Sequence, residues 1–588
     1  MKNTEIADIF YEMADLLEMQ GVQWKPRAYR NAARAVDSAE DVEIILQKGG
    51  KKALLDIPGI GEALADKIIE YVQTGKIKEY ERLTGKLPEG VHAMMHIMGV
   101  GPKKAWRLYK ELGIKGVDQL EKACKKGKLR THKGFGEKTE EDIIKGIATL
   151  RTGQERILLG KAWSISQEII QRLNKIKGVR AIEPAGSLRR MQETIGDIDI
   201  LVISTNPEKV MDAFTSMPDV VRILAKGRTK SSVQLKEGVS ADVRVLEPKS
   251  FGAALQYFTG NKEHNIAVRQ IAIRKGLKLS EYGVFKATGA ANKKRKAGEA
   301  AKKEVRVAGK TEEEVYRALG LPYIPPEIRE DSGEIEAAAA GTLPALVELE
   351  DIRGDLHCHS NYSDGASSLQ EVAAAGKKKG YSYILVTDHS RSLHIANGLS
   401  PERLRKQLAE IDSINAKLRG FKLLKGSEVD ILPDGSLDMD EALLARLDIV
   451  YVAIHSKFKM DRAAMTKRVI RAMENPYSSI LAHPTGRLIG VRDAFEIDMQ
   501  EVIRAAARTG TAIEINAHPA RLDLDAANCR AAAAAGVMIG IGTDTHVLSE
   551  LDYMIYGIGT ARRGWLTKAN ILNARPAREL LSLLRKKR

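Results

Sequence analysis

The chain has 588 residues, of which 44% are hydrophobic and 5% aromatic. That length exceeds what one core can organise, so two to four domains are expected. No apolar run approaches a membrane span, and the N-terminus reads as an amphipathic helix lacking a signal peptide's apolar centre. Cys124, Cys358 and Cys529 form no CxxC pair. That pattern speaks against a disulfide framework or a thiolate zinc site and suits a reducing cytoplasm. Of the net charge of +16, about +15 falls in residues 1–330. A basic excess confined to one part of a chain suits a polyanion, because cations beside phosphates release condensed counterions.

The first 150 residues read as helical. Between helices lie two turns of one form, Ile57-Pro58-Gly59-Ile60-Gly61 and Met98-Gly99-Val100-Gly101-Pro102-Lys103. Closely spaced glycines permit a tight turn and bring backbone N–H groups near an anion at the next helix start. Gly59, Gly61, Gly99, Gly101 and Lys103 are therefore candidate DNA-backbone contacts, which hold phosphates without reading bases. Lys133-Gly134-Phe135-Gly136 is a weaker third copy. Two such turns, each followed by a basic amphipathic helix, resemble the helix-hairpin-helix motif.

From about 155 to 330, strand-like runs alternate with helices. Ala185-Gly186-Ser187-Leu188-Arg189-Arg190 precedes Gly196-Asp197-Ile198-Asp199-Ile200, and Ala241-Asp242-Val243 follows. Alternate strand residues share a face, so Asp197 and Asp199 point one way and the isoleucines the other. Neighbouring ionised carboxylates are unfavourable without cations between them. Three of them can hold two Mg²⁺ (or Mn²⁺) ions, one activating an attacking hydroxyl and one neutralising a leaving pyrophosphate. Gly186 and Ser187 offer donors to a triphosphate, and Arg190 adds charge.

With Tyr257-Phe258-Thr259-Gly260-Asn261, residues 1 to about 330 resemble the family X DNA polymerases, the polymerase beta group. The resemblance implies that Asp197, Asp199 and Asp242 bind the metals and that Arg156, Ser187, Arg190 and Gly196 contact the triphosphate. Tyr257, Phe258 and Gly260 would pack beneath the incoming sugar, and Asn265 would reach the base. It also implies substrates: gapped or nicked DNA and dNTPs. In the family's lyase site an amine forms a Schiff base with an abasic sugar. Lys67 matches that nucleophile, with Lys25 and Tyr29 beside it, whereas Ala63 replaces a supporting lysine. Ser240 stands where animal members carry an arginine, so Asp242 needs another support. The insertion Lys286–Lys310, with its basic run 293–296, reads as a basic hairpin.

Residues 331–350 are acidic and Ala-rich and read as a linker. Beyond them, apolar runs ending in His or Asp alternate with Ala-rich helical stretches, a pattern of βα units that places chemistry at strand ends. Eight of the twelve histidines follow residue 350. His357 and His359 share a strand face and can bind one metal. Together with Asp364, His389, Glu428, His455, His483, Asp544 and His546 they resemble the ligand set of the PHP (polymerase and histidinol phosphatase) domain. The resemblance implies a distorted seven-stranded βα barrel with up to three metals and a metal-dependent 3′–5′ exonuclease, with abasic-site cleavage as a further option. Mixed imidazole and carboxylate ligands suit Mn²⁺, Zn²⁺ or Fe²⁺. His518 reads as a support behind the ligands and His394 as a loop residue.

The expected architecture is thus multidomain α+β and α/β. It comprises a helical helix-hairpin-helix, lyase-like region (1–85), a fingers-like second one (86–150), a nucleotidyltransferase palm (151–248), a thumb (249–330), the linker and a PHP barrel (351–588). A cytoplasmic, monomeric gap-filling repair polymerase fits best. A small-molecule transferase leaves the paired hairpins unexplained, and an inert DNA-end scaffold leaves the intact carboxylates unexplained.

Overall fold

The computed structural model describes residues 2–19, 22, 24–38, 42–57, 59–84, 89–95, 97, 100, 102–132, 135–151, 156–287 and 304–585. Gly99 and Gly101, the Lys133-Gly134 pair and the basic run 293–296 lie outside the described residues, as does the Lys103 side chain.

Residues 2–151 contain helices and no strand among the described residues. Helix Lys2–Met19 packs against Lys25–Ser38, with Ile6, Phe10, Met13 and Val36 fully buried. The helix Glu62–Thr74 starts at Gly61, which has no side chain to cap it. Gly59 just before it has φ 88°, a left-handed conformation that glycine takes without strain. Both glycines are exposed, so the backbone donors at this helix start face solvent.

The palm begins with the short antiparallel pair β1 (Ile157–Leu158) and β3 (Thr194–Ile195), separated by β2 (Val179–Pro184). The strands β4 (Asp197–Ser204), β5 (Val220–Lys226), β6 (Lys230–Leu235) and β7 (Ser240–Leu246) join β2 in a five-stranded sheet of order β2-β4-β7-β6-β5. Ile198, Ile200, Val202, Ala241 and Val243 are buried in its core. The thumb carries β8 (Leu277–Ser280), β9 (Gly283–Ala287) and β10 (Glu304–Ala308) in an antiparallel sheet.

The segment expected as a linker is folded. Alanine is the strongest helix former, and the Ala-rich stretch makes helix Glu334–Ala340. Glu334 is buried, accepting from His264 Nδ1 at 2.6 Å, and this contact ties the helix to the thumb.

Seven parallel strands follow: β11 (Gly354–Cys358), β12 (Tyr383–Val386), β13 (Lys422–Asp430), β14 (Ile449–Ala453), β15 (Ile480–Leu481), β16 (Ala512–Asn516) and β17 (Ile539–Gly542). They pair in chain order, each joined to the next by a helical crossover, which makes a nearly closed barrel. Buried Asn573 stitches the seam between β11 and β17. Its Nδ2 donates to Gly354 O (2.9 Å) and Ile541 O (2.8 Å), and its Oδ1 accepts from Ile541 N (2.7 Å).

Barrel and palm share packing. Leu522 and Tyr556 of the barrel lie in the palm core. A methyl at Gly160 would meet Pro519 at 2.8 Å, so that glycine permits the close approach. Arg487–Glu193 (2.8 Å) adds an ion pair to this contact, and Arg562–Glu327 (2.9 Å) ties the barrel to the thumb.

Candidate functional site

In the palm, β4 and β7 are parallel, with Asp199 opposite Asp242 and Asp197 opposite Ser240. Exposed Asp197 and half-buried Asp199 flank buried Ile198, as strand alternation requires. Burial, then the charges of Asp197 and Asp242, push the Asp199 carboxyl up to about 7. Asp197 is also raised, by burial and then by Asp242.

Two cations that the sequence reading did not single out meet Asp242: Lys230 Nζ at 3.0 Å and Arg244 Nη2 at 3.5 Å. They supply the support that Ser240 cannot. Arg244 lies two residues after Asp242 on the same strand face, and its guanidinium sits over the Phe258 ring at 4.4 Å. The register with β6 that brings in Lys230 is invisible in a linear motif.

The three glycines of the expected nucleotide pocket each border a charged member of it. A methyl at Gly186 (φ 63°) would lie 3.0 Å from Asp199 Oδ2, one at Gly196 3.1 Å from Arg156 Nη1, and one at Gly260 3.2 Å from Arg190 Nη1. Ser187 lies in the one-turn helix Gly186–Arg189 that follows this approach. Arg156 is exposed and donates to Thr194 Oγ1 at 2.9 Å. Arg190 pairs with Glu330 at 2.8 Å, and its partner in sequence, Arg189, is a buried structural pair with Glu312. Tyr257 and Phe258 meet edge-to-face at 5.1 Å. Asn265 donates to Tyr257 O (2.7 Å) and accepts from Gln256 (2.7 Å), so its amide is held within the thumb.

Lys67 pairs with Glu79 at 2.9 Å, and Tyr29 donates to the same carboxylate at 3.2 Å. Glu79 is thus the partner that joins two residues 38 apart in sequence; Lys25 adds charge nearby.

All nine histidine-barrel candidates converge at the C-terminal ends of the strands. Glu428 on β13 lies against five imidazoles: His483 Nε2 at 2.8 Å, His389 Nδ1 at 3.0 Å, His455 Nε2 at 3.2 Å, His357 Nε2 at 3.4 Å and His359 Nε2 at 3.6 Å. His359 Nε2 stands 3.3 Å from Asp544 Oδ1, and His546 Nε2 stands 3.3 Å from Asp364 Oδ2. Three groups have the geometry of a metal site: His359, Asp364, His389 and His546; His357, His359 and Asp544; His389, Glu428 and His455. His357 Nε2, both ring nitrogens of His359 and His389 Nδ1 are buried without a hydrogen-bond partner among the described residues. Orphaned ring nitrogens aimed into a carboxylate cluster are what metal ligands look like without their ions, so the residues fit divalent metals.

Behind the ligands stand carboxylates and an amide missed in sequence. His357 Nδ1 donates to Glu514 at 2.6 Å, His455 Nδ1 donates to Asp430 at 2.9 Å, and Asn516 donates to Asp544 at 3.0 Å. Such partners fix which ring nitrogen faces the metal. β16, which bears none of the nine candidates, supplies both Glu514 and Asn516. A lone carboxylate in the apolar run TAIEINA was the available signal. Burial opposes charge on His455 and His546, yet their carboxylate neighbours raise each to about 9. His518 accepts from Ala520 N and packs edge-on to Tyr553. His394 is exposed in a short 3-10 turn.

Comparison with known proteins matches several parts of this architecture. Residues 1–77 match a helix-hairpin-helix domain, 92–149 a SAM-like helix-hairpin-helix tandem, 254–330 the DNA polymerase beta thumb and 355–518 the PHP domain. The chain is 39% identical to the DNA polymerase/3′-5′ exonuclease PolX of Bacillus subtilis (strain 168), over 100% of both chains. DNA polymerase lambda of Rattus norvegicus is 24% identical over 56% of each chain. A probable phosphatase of Thermoanaerobacter sp. (strain X514) is 31% identical over 37% of this chain and 89% of its own. No described helix is long and apolar enough to cross a membrane. The chain belongs to the PolX family, the family X DNA polymerases that carry a C-terminal PHP domain.

Proposed function

We propose that this protein fills short gaps in DNA at the palm and trims DNA 3′ ends at the barrel, as steps of DNA repair in the cytoplasm. The observation that carries the reading is the convergence of Asp197, Asp199 and Asp242 on one face of adjacent strands, closed by the Gly186 turn. Bound divalent cations, Mg²⁺ or Mn²⁺ in the palm and Mn²⁺, Zn²⁺ or Fe²⁺ in the barrel, supply charge neutralisation and Lewis acidity at the reacting phosphates. The three aspartates hold the palm cations. Ser187, Arg156, Arg190 and the backbone at Gly186 and Gly196 grip the triphosphate, while Tyr257, Phe258 and Gly260 shape the floor under the sugar and Asn265 reaches the base once its bonds to Tyr257 O and Gln256 open.

In the barrel, the nine ligands hold the metals, and Glu514 and Asp430 keep His357 and His455 presenting Nε2 inward. Gly59, Gly61, Gly99, Gly101 and Lys103 bind the backbone of a gapped or nicked duplex, and a single chain suffices. Any Schiff-base chemistry on an abasic sugar belongs to Lys67, whose amine Glu79 and Tyr29 orient.

Extension and trimming of a gapped duplex test the reading together. The Asp197→Ala/Asp199→Ala double variant should lose nucleotide addition and keep trimming. His357→Ala or Asp544→Ala should do the reverse. Loss of both activities in every variant would overturn two separate sites.

A further inference from the structure

Three consecutive residues just after the GSLRR turn of the palm lean on the barrel. A methyl at Gly559 would lie 2.8 Å from Met191 Cε, Gln192 Oε1 accepts from Arg563 Nη2 at 3.1 Å, and Glu193 pairs with Arg487 at 2.8 Å. Gly559 and Arg563 belong to one barrel helix, Met554–Arg563, which follows β17. Met191 is buried against it and has φ 53°, a left-handed conformation that a residue with a Cβ rarely adopts. The segment that carries Arg190 into the palm sheet is therefore clamped from the barrel side.

Gln192 carries the contact onward. Its Nε2 donates to Glu330 Oε1, the oxygen that also accepts from Arg190 Nε at 2.8 Å, while Glu330 Oε2 accepts from Asn261 Nδ2 at 3.1 Å. A guanidinium only donates and a carboxylate only accepts, so an amide between the two has a single orientation. Arg190 Nη1 donates to Thr259 O at 2.5 Å. Two nitrogens of Arg190 are thereby fixed. Nη2 makes no hydrogen bond among the described residues and is the one left for a triphosphate.

Arg563 itself is poorly satisfied. Its Nε and Nη1 are buried and make no hydrogen bond among the described residues. The charges of Glu193 and Glu330 offset part of its burial, yet their oxygens pair with Arg487 and Arg190 instead. Burying donors without partners is unfavourable, so packing does not explain an arginine at this position. Its hydrogen bond to Gln192 does.

We propose that Arg563 of the barrel is a positioning residue for nucleotide addition in the palm: through Gln192 and Glu330 it holds the Arg190 guanidinium with Nη2 presented to the incoming dNTP. The barrel thus sets the nucleotide affinity of the palm without touching the nucleotide. This rests on the reading of Arg190 as a triphosphate ligand.

Single-turnover filling of a gapped duplex by the full chain with Mg²⁺, across a range of the complementary dNTP, gives an apparent Kd and a maximal rate. Arg563→Met should raise the apparent Kd about three- to tenfold, the equivalent of one hydrogen bond lost from the grip, and keep the maximal rate within about twofold. Gln192→Met breaks the same relay from the palm side and should match it, which keeps the test open should the barrel variant not fold. In an Arg190→Met background, itself weaker for dNTP, Arg563→Met should add less than about twofold, since its effect runs through Arg190. Full multiplication of the two effects, or a wild-type Kd in both Arg563→Met and Gln192→Met, overturns the relay. A wild-type Kd in Arg190→Met alone overturns the triphosphate reading, and the relay with it.

Discussion

Asp199 and Asp242 face each other directly across two parallel strands, each on the side of the sheet away from the palm core. A parallel pairing of this kind sets two carboxylates side by side with nothing but a cation to relieve them. Lys230 and Arg244 relieve Asp242; Asp199, deeper and beside Asp197, carries the strain as a carboxyl raised to about 7.

The raised carboxyl makes metal binding pH-dependent with a fixed sign. An acid whose folded value lies above its ordinary 3.8 holds a proton that the unfolded chain has released. Its contribution to stability is therefore fully present below that ordinary value and is lost as pH rises through about 7. Divalent cations reverse the loss by binding the ionised form. Calorimetric titration with Mg²⁺, of the chain with its barrel already metal-loaded, should release a proton between about pH 5 and pH 6 and none near pH 9, with affinity rising across that range. Asp199→Asn should reduce the proton release, leaving only what the also raised Asp197 contributes. Release that is the same at every pH would show that Asp199 is ionised before the metal arrives.

Gly186 permits the approach of the GSLRR turn to Asp199. Its φ of 63° and the 3.0 Å gap from a built methyl to Asp199 Oδ2 place two demands on one residue. Gly186→Ala should cost about 1–2 kcal/mol in backbone strain and displace the carboxylate besides. Gap filling should fall at least about tenfold in kcat/KM, the rate equivalent of that cost. Trimming reports on a different site and should be untouched. Primer extension at several dNTP concentrations checks this, and wild-type extension by the variant would show that the turn has room to spare.

Glu514 acts on the barrel metals through His357. Glu514→Gln keeps the shape but removes the charge that stabilises the imidazole with Nε2 facing inward. Divalent metal affinity, read by elemental analysis and chelator competition, should fall about 10–100-fold. An unchanged affinity would assign Glu514 to packing alone.

The residues legible in sequence were those whose chemistry is local. Asp197 and Asp199 announce themselves by spacing on one strand, and the histidines by their recurrence at strand ends. The contacts that escaped cross between strands: Lys230 reaches Asp242 from β6, and Asn516 reaches Asp544 from β16. Sheet register sets such pairs, and no linear pattern encodes it. The stretch 331–350 misled for a different reason. Alanine and glutamate describe a solvated linker and a helix equally well, and buried His264, distant in sequence, joins the local N–H donors of Asp331 and Ser332 in holding Glu334 in the folded state.

A buried amide shares the closing of the barrel with backbone bonds further along the seam, His359 N to Thr545 O (2.8 Å) and Thr545 N to His357 O (3.3 Å). Asn573 is fully buried and uses both ends of its side chain on Gly354 and Ile541, doing for β11 and β17 what ladder bonds do elsewhere. Because His357 belongs to β11 and Asp544 follows β17, the same seam sets the spacing of two metal candidates. Asn573→Ala leaves three buried backbone groups without partners. Each such group costs about 1–3 kcal/mol, with partial recovery by water, so a total loss of about 2–5 kcal/mol is expected. Asn573→Asp restores the acceptor for Ile541 N but not the two donors, and should be little better. Chemical denaturation followed by barrel-specific hydrogen exchange would locate the loss on β11 and β17. Protection that stays unchanged on those two strands would mean that the side chains packed around them close the barrel without the amide.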